Sequence, residues 1–564
     1  MKRFVTAAWN NIGFVCVALV LVYCVVHAFD PPRLNWGDSM SDYNVMNSGR
    51  NFATYGFLHL RLTPFLIDPQ YLTNEDRMLL YTHYPQLPDL MNGMLRVVFH
   101  LSDIVQFRFV ALGFSFSALF FVYQVICRYW QRATGQMALA LWVINPLWLQ
   151  HADYLHEEPY GAFFGFGCLY FLTRYLDDTQ RRRWLVVSGI FMTFTFFASY
   201  NYWFFTPLLV AIILVGHYKA VFDKRVLAPL ATLAAFAVAA VLLKFSTNAW
   251  ALGGISGGIQ DLRFQFTERA TDAVTRTHYQ NGIIPVAYGR IERFFSLLFF
   301  PIAVFWAVFP LLRARWAARS EAFTFEGPNP WILFLAALPF LCLFVELWVG
   351  QYYPTLLVLP FYAVASGALI ALLARDRNRL VAAMGLTLAV ALIVNSVAET
   401  ASFKKAFFQR STIASLAARL DSVSARGQHI LVNHTFDAPY RYYFHRNTNT
   451  MILIPPGVAD IALESMANPR THPLSGTPTG AIFVEHKHLT DEMYDKSYYY
   501  ILGRYGFWRF WGNPEQYRAP IDTLIAERDS VLMSKVAAVG QKLYDTDDYS
   551  IWRIRPPVDS TVPK

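Results

Sequence analysis

The chain has 564 residues, of which 55% are hydrophobic, 17% aromatic and only 15% charged, against about 25% charged in soluble proteins. A soluble chain of this composition would leave large apolar patches in water, so the composition excludes a string of soluble domains and indicates a polytopic membrane protein. The formal charge of +9 would suggest nucleic acid as a partner of a soluble protein, a question that the placement of the charges decides.

An apolar run of about 20 residues is long enough to cross the hydrocarbon core as a helix. About eleven such runs follow one another, near 12–29, 107–127, 135–150, 159–176, 184–199, 200–217, 227–244, 293–312, 331–350, 354–374 and 380–398. The first follows Met1-Lys2-Arg3 and ends on Val26-His27-Ala28, a loose signal-peptide pattern. Its apolar stretch is too long and starts too late for cleavage, so an uncleaved anchor is expected. The five cysteines, Cys16, Cys24, Cys127, Cys168 and Cys342, all lie in apolar runs, which indicates neither a disulfide framework nor a thiolate metal site.

Alternate connections are basic: the start of the chain, 128–132, 174–183, 217–225, 313–319 and 374–379 hold 17 Lys and Arg. The short connections on the opposite side, 151–158, 199–203 and 349–354, hold none. This positive-inside pattern places the N-terminus in the cytoplasm, and an odd number of spans exports the C-terminus. The basic excess is therefore an orientation signal and no sign of nucleic acid. Two parts are expected: a transmembrane module over 1–398, with outer segments 30–106, 151–158 and 245–292, and an extracytoplasmic domain over 399–564. In 90–103, Leu90, Met91, Met94, Leu95, Val98 and Leu101 recur at helical spacing, as in a helix lying on the membrane surface. In the last segment, 429–432, 451–454, 481–486 and 549–554 read as strands and 407–424 and 519–537 as helices, hence a small α/β domain.

No GxxxxGK[ST], GxGxxG or HExxH occurs. Ionisable residues inside the spans are scarce, with Lys244 and Glu346 near span ends, which disfavours ion-coupled transport. Chemistry is therefore sought at the outer surface. In 35–52, Asp38 and Asp42 are four residues apart and share one face of a helix. A carboxylate there can act as general base, and acids at a helix N-terminus are the plainer alternative. In 151–160, His151, Asp153, His156, Glu157 and Glu158 crowd a short outer loop, which suits a divalent cation or a carboxyl with a raised pKa. A solvated loop kept free of basic residues by topology is the alternative. In 82–93, Pro85 and Pro88 stiffen a stretch whose His83 and Tyr84 can hydrogen-bond a phosphate or sugar hydroxyl. Tyr352 and Tyr353 stand at an outer span junction, where an aromatic belt is the default.

The order of one inward-to-outward span, a large outer loop beginning with acids and ending in a Pro-containing motif before a surface helix, then many spans and an outer C-terminal domain, resembles the GT-C superfamily. The resemblance is to its protein O-mannosyltransferase and aminoarabinose transferase branch. That branch carries an Asp-Glu pair shortly before a Tyr, then a Lys-Pro-Pro-Leu or His-Pro-Pro-Leu-like motif. Here Asp38 or Asp42, followed by Tyr43, stands at the acid position, and His83 or Tyr84 of His-Tyr-Pro-Gln-Leu-Pro stands at the basic one. The Asp-Glu pair is broken and the Lys is missing.

The resemblance implies a polytopic α-helical GT-C fold and transfer of a sugar from a polyprenyl-phosphate donor to an exported glycan, lipid or protein, at the outer face of a bacterial inner membrane. Asp42, or Asp38, would be the base of an inverting single displacement. His83, Tyr84, Arg50, Arg61, Tyr352 and Tyr353 would line the donor. Asp153, Glu157 and Glu158 would support the acceptor or hold a metal. Arg263 and Arg269, with Arg276, Arg290 and Arg293, are further cations for the donor phosphate. The reading requires no organic cofactor; a divalent cation on Asp153, His156 and Glu157 is the candidate. A transporter or flippase of a lipid-linked glycan, or a membrane-anchored scaffold, stays open as the alternative. The DxD-like Asp545-Thr546-Asp547 reads as a polar hairpin turn.

Overall fold

The computed structural model of the chain describes residues 11–29, 39–66, 82, 84–271, 291, 294–317, 327–344, 353–376, 378–407, 413–424, 429–432, 447–450, 482–487, 530, 533–534, 536–538, 540–547 and 549–554. Among these, four segments are long and apolar enough to cross a membrane: Ile104–Val143, Lys224–Ala251, Pro354–Ala374 and Arg379–Ala401. Ile12–Ala28, Arg183–Ala198, Tyr202–Tyr218, Phe299–Leu311 and Trp331–Leu343 are shorter apolar helices.

In chain order the helices are α1 (Ile12–Ala28), α2 (Ser39–Tyr55), α3 (Leu87–Phe99), α4 (Ile104–Val143), α5 (Pro146–His151), α6 (Glu157–Asp177), α7 (Arg183–Ala198), α8 (Tyr202–Tyr218), α9 (Lys224–Ala251) and α10 (Ile255–Thr271). They continue as α11 (Phe299–Ala317), α12 (Trp331–Leu343), α13 (Leu359–Ala374, after a 3-10 turn at Tyr353–Val358), α14 (Arg379–Phe407) and α15 (Ile413–Val423). Local chemistry sets several starts. Asp103 accepts from the Val105 N–H at 2.9 Å while Gln106 reaches back to the Asp103 N–H, a capping box that opens α4. Asn145 accepts from the Leu147 and Trp148 N–H groups, and Pro146 opens α5. Asp223 caps α9 through the Arg225 N–H.

Several expected boundaries move. The runs 107–127 and 135–150 form one continuous helical stretch, kinked where Trp130 and Gln131 leave helical geometry, with Gln131 at φ 68°. The second run stops at Val143, because the Asn145-Pro146 pair starts α5 instead. The run 227–244 continues to Ala251, so Lys244 lies inside α9 and not at its end.

Helix α4 is central: α1, α6 and α13 pack against it. Pro354–Ala374 is almost wholly buried. At the periphery, α14 exposes Leu380, Met384, Val390, Val394 and Val397 along one stripe, the face expected to meet lipid. Among the described residues of the last segment, five strands form one sheet: β1 (His429–Val432), β2 (Asn447–Thr450), β3 (Ile482–His486), β4 (Gly540–Asp545) and β5 (Tyr549–Ile554). Their order is β2-β1-β3-β5-β4, with β1 parallel to β2 and β3, and β5 antiparallel to β3 and β4. Leu416 and Leu420 of α15 pack on Ile430, Ile482, Val484 and Ile551, a small α/β core. The strand expected at 451–454 lies outside the described residues, and β2 precedes it. The polar run of β4 was not expected as a strand; pairing with the buried β5 holds it there. Helix α14 runs through the expected domain boundary at 398 to Phe407.

Candidate functional site

The acidic loop is not solvated: every residue from His151 to Tyr160 is buried. Helix α5 holds its first part, with His151 donating from Nδ1 to the Leu147 carbonyl at 2.8 Å and Ser115 of α4 donating to the Ala152 carbonyl at 2.7 Å. Its last part opens α6, whose first turn carries Glu157 and Glu158, where the helix dipole favours negative charge. Gly161 and Gly165 let this end of α6 approach the segment leading into α8. A Cβ at Gly161 would lie 2.6 Å from Ser199 Cβ, and one at Gly165 would lie 2.7 Å from the Tyr202 ring and 2.9 Å from Thr206 Oγ1. That approach places Glu157 Oε2 as acceptor of the Tyr200 N–H at 2.9 Å.

Asp42 joins this loop from a distant segment. It lies in the first turn of α2, is buried, and its Oδ1 accepts the Leu155 N–H at 2.8 Å, a bond spanning 113 residues. Tyr43, Val45 and Met46 anchor the same turn of α2 in a cluster that includes Leu155, Phe107 and Ala111. Asp153 faces the buried Arg108, whose Nε is 4.0 Å from Asp153 Oδ2 and whose Nη1 donates to the Ala28 carbonyl at 3.2 Å. His156 Nδ1 is 3.9 Å from Glu158 Oε2. Among the described residues, His156, Glu157 and Glu158 each offer one ligand atom, all within 4.8 Å of one another and all buried. One nitrogen and two carboxylate oxygens at that separation suit a divalent cation, whose ligands stand about 2.0–2.6 Å from the ion. Of the expected candidates, His156 and Glu157 share this cluster with Glu158, while Asp153 faces Arg108.

The 82–86 stretch forms a third wall. The Tyr84 ring meets His156 edge-on at 4.7 Å between centroids. Lys244 of α9, buried, donates to the Tyr84 carbonyl at 3.2 Å and stands 4.0 Å over the Tyr200 ring. Gln86 bonds Asn248 at 2.7 Å and accepts from Thr247 at 3.2 Å, and Thr82 donates to Asp261 of α10 at 2.8 Å. On α3, Asp89 is wholly buried, and burial pushes its carboxyl up to about 7.

The remaining expected residues divide as follows. Asp38, His83, Tyr352, Arg276, Arg290 and Arg293 lie outside the described residues, as do the side chains of Arg269 and Tyr353. Arg50 donates to Asn47 on its own helix at 3.1 Å. Arg61 donates to the Trp250 and Ala251 carbonyls, satisfying the C-terminal end of α9. Arg263 is exposed on α10. Arg108, Tyr200 and Asp89 stand out by no local pattern in the sequence, and Lys244 reads there as a span end. The one available signal was an isolated lysine in an apolar run, a costly placement that marks function.

No protein-family model matches the chain, and no curated protein matches it. Solved structures do. The Archaeoglobus fulgidus oligosaccharyltransferase in complex with Zn and sulfate is 13% identical over 84% of this chain and 68% of that one, with a TM-score of 0.54. The same enzyme tethered to an acceptor peptide containing an NVT sequon is 13% identical over 88% and 71%, with a TM-score of 0.51. ArnT from Cupriavidus metallidurans bound to undecaprenyl phosphate is 13% identical over 98% and 99%, with a TM-score of 0.49. At 13% identity these matches carry the fold alone: this chain shares the mostly helical fold of the Archaeoglobus fulgidus oligosaccharyltransferase, as the resemblance to the GT-C superfamily leads one to expect.

Proposed function

We propose that the chain is a glycosyltransferase that moves a sugar from a polyprenyl-phosphate carrier to a glycan, lipid or protein acceptor at the outer face of a bacterial inner membrane. In this reading about eleven spans leave the N-terminus in the cytoplasm and carry residues 399–564 outside as a separate α/β domain. The carrying observation is the bond between Asp42 and Leu155, which joins the first outer segment to the buried turn of Asp153, His156, Glu157 and Glu158. Burying so many acids together costs free energy that a membrane anchor or scaffold has no reason to meet.

The chemistry follows from the residues. An acceptor X–H attacks the sugar's anomeric carbon as the bond from that carbon to the phosphate oxygen breaks, and the configuration inverts. Asp42 is the group that takes the acceptor proton, its carboxylate oriented by the Leu155 N–H. Glu157, fixed by the Tyr200 N–H, and Glu158, beside His156, would hold a divalent cation. Such an ion supplies positive charge to the departing phosphate. The archaeal oligosaccharyltransferase carries Zn and sulfate, a cation and an anion of the kinds this reading requires. Arg108 keeps Asp153 paired, so that the turn does not repel the anionic donor with all its acids.

The test is to incubate the purified full-length protein with a panel of polyprenyl-phosphate sugars and measure released carrier phosphate. Release with at least one donor, lost in Asp42→Asn, supports the reading. Release from no donor, or release unchanged in Asp42→Asn, overturns it or its base.

A further inference from the structure

The turn that leads into α8 holds an asparagine whose usual role is unfilled. Asn201 stands at the start of α8, where an asparagine ordinarily accepts from an N–H two or three residues on, yet it makes no such bond. It is 3% exposed, and its buried Oδ1 has no hydrogen-bond partner. A buried amide oxygen without a partner carries a desolvation penalty, so its placement calls for a reason. Its neighbours put it beside the acidic turn. Glu157, Gly161 and Gly165 follow one another at helical spacing on one face of α6. The segment around Asn201 lies against that face, with Ser199 and Tyr202 at Gly161 and Tyr202 and Thr206 at Gly165. One residue before Asn201, the Tyr200 N–H donates to Glu157 Oε2 at 2.9 Å. One residue after it, the Tyr202 hydroxyl lies within electrostatic reach of Glu158 and Glu157. Successive Cα atoms are about 3.8 Å apart, so the Asn201 side chain starts one residue's length from a backbone group bonded to the cluster. An oxygen with no exposed surface is closed to a sugar or a lipid, whereas an ion or a water is small enough to meet it.

We infer that Asn201 is a further ligand, through its amide oxygen, of the divalent cation proposed for His156, Glu157 and Glu158. Those three residues offer one ligand atom each, and a divalent cation takes about four to eight. Two carboxylates already balance its charge. A third would leave the site net negative beside an anionic donor, whereas a neutral amide oxygen adds a ligand and no charge. This inference rests on the cation of the proposed function.

The test titrates the full-length protein in detergent micelles with Mn2+, following the bound ion by electron paramagnetic resonance. Four forms are compared: wild type, Asn201→Leu, Asn201→Asp and Thr206→Val. The expected result is that wild type binds Mn2+, Asn201→Leu weakens binding about tenfold or more, and Asn201→Asp keeps or tightens it. Thr206→Val should bind as wild type does; its Oγ1 is also buried and unpartnered, so it controls for the loss of a buried polar group on the same helix. Wild-type affinity in Asn201→Leu, as a buried water on Oδ1 would give, overturns the inference and leaves the proposed cation standing. An equal loss in Thr206→Val also overturns it, because packing would then govern the affinity. A wild type that binds no Mn2+ overturns the inference together with the proposed cation, and leaves Asp42 as the base. If Asn201→Leu aggregates, asparagine labelled with 13C at Cγ decides. The wild type should then show a hyperfine coupling between Mn2+ and 13C that Asn201→Asp lacks, and a wild type without that coupling overturns the inference.

Discussion

Two acidic turns of this chain carry closely spaced carboxylates, and the fold treats them oppositely. The turn at 153–158 is buried throughout, and its partners arrive from afar: Asp42, Arg108 and Tyr200 all lie on other segments. The turn at Asp545-Thr546-Asp547 joins β4 to β5, and Thr546 closes it through mutual hydrogen bonds with Tyr549. Asp545 there is exposed and bonded to Lys487 and Lys542, which hold its carboxyl below the usual range. A solvated carboxylate costs little, so its presence says little. A buried one carries a desolvation penalty that other groups must offset, so its persistence calls for a reason. The sequence already reads the second as a hairpin turn, and burial and the distance to partners set the first apart from it.

The strongest way to break this contrast is to exchange acids for amides in both turns. Asp42→Asn keeps an oxygen for the Leu155 N–H and is expected to fold, yet to lower carrier-phosphate release about 100-fold or more. The pair Asp545→Asn and Asp547→Asn is expected to leave release unchanged. The reverse ranking would move the chemistry to the sheet domain.

Metal content sharpens the same contrast. Elemental analysis of the purified protein should find a divalent cation that Glu158→Gln loses and the Asp545/Asp547 amide pair retains. A wild type with no cation, and with transfer unaffected by chelators, would remove the metal from the proposal and leave the base.

A smaller effect is expected from the scaffold that presents the buried turn. Gly161→Val puts a branched side chain against Ser199 and Tyr202 and should cost about 1–3 kcal/mol of stability. Gly216→Val on α8 meets open space and should be neutral or slightly stabilising. Equal thermal shifts in the two variants would show that the close approach at Gly161 does not matter.

The smallest effects concern pH. Asp89, at about 7 in the folded protein against an ordinary 3.8, keeps a proton that the unfolded chain releases between those values. Folding stability therefore falls as pH rises from about 4 to about 7 and is level above that. Asp89→Asn should flatten that slope and raise the melting temperature at pH 8. Asp545 has the opposite sign: its lowered pKa adds stability above about 4 that is lost as the pH falls further. Being exposed and screened by salt, Asp545→Asn should change the melting temperature very little. A steeper pH dependence from Asp545 than from Asp89 would contradict the burial contrast.

Much of the fold could be read from the chain because hydropathy is a local property. The apolar runs at 12–29, 200–217 and 331–350 coincide with the starts of α1, α8 and α12 to within about two residues. The strands at 429–432 and 549–554 were bounded as observed, their alternation and β-branched residues being local as well. The errors arose where a local signal was overridden. The Asn145-Pro146 pair cuts one apolar run short, and α9 continues beyond its expected end at 244 to Ala251, where Thr247 and Asn248 bond Gln86.

The sequence by itself determined that the chain lives in a membrane, which connections are basic, and which short segments hold concentrated acids, since each depends only on residues near one another along the chain. Only the tertiary structure decided which acids share a site. Asp42 reaches the turn across 113 residues, Arg108 claims Asp153 from the start of α4, and Lys244 reaches Tyr84 from inside a span. No periodicity encodes such meetings, because they arise from how the helices pack. The same packing removes water from the 153–158 turn and leaves it around Asp545, and that difference in solvation separates a candidate site from a surface turn.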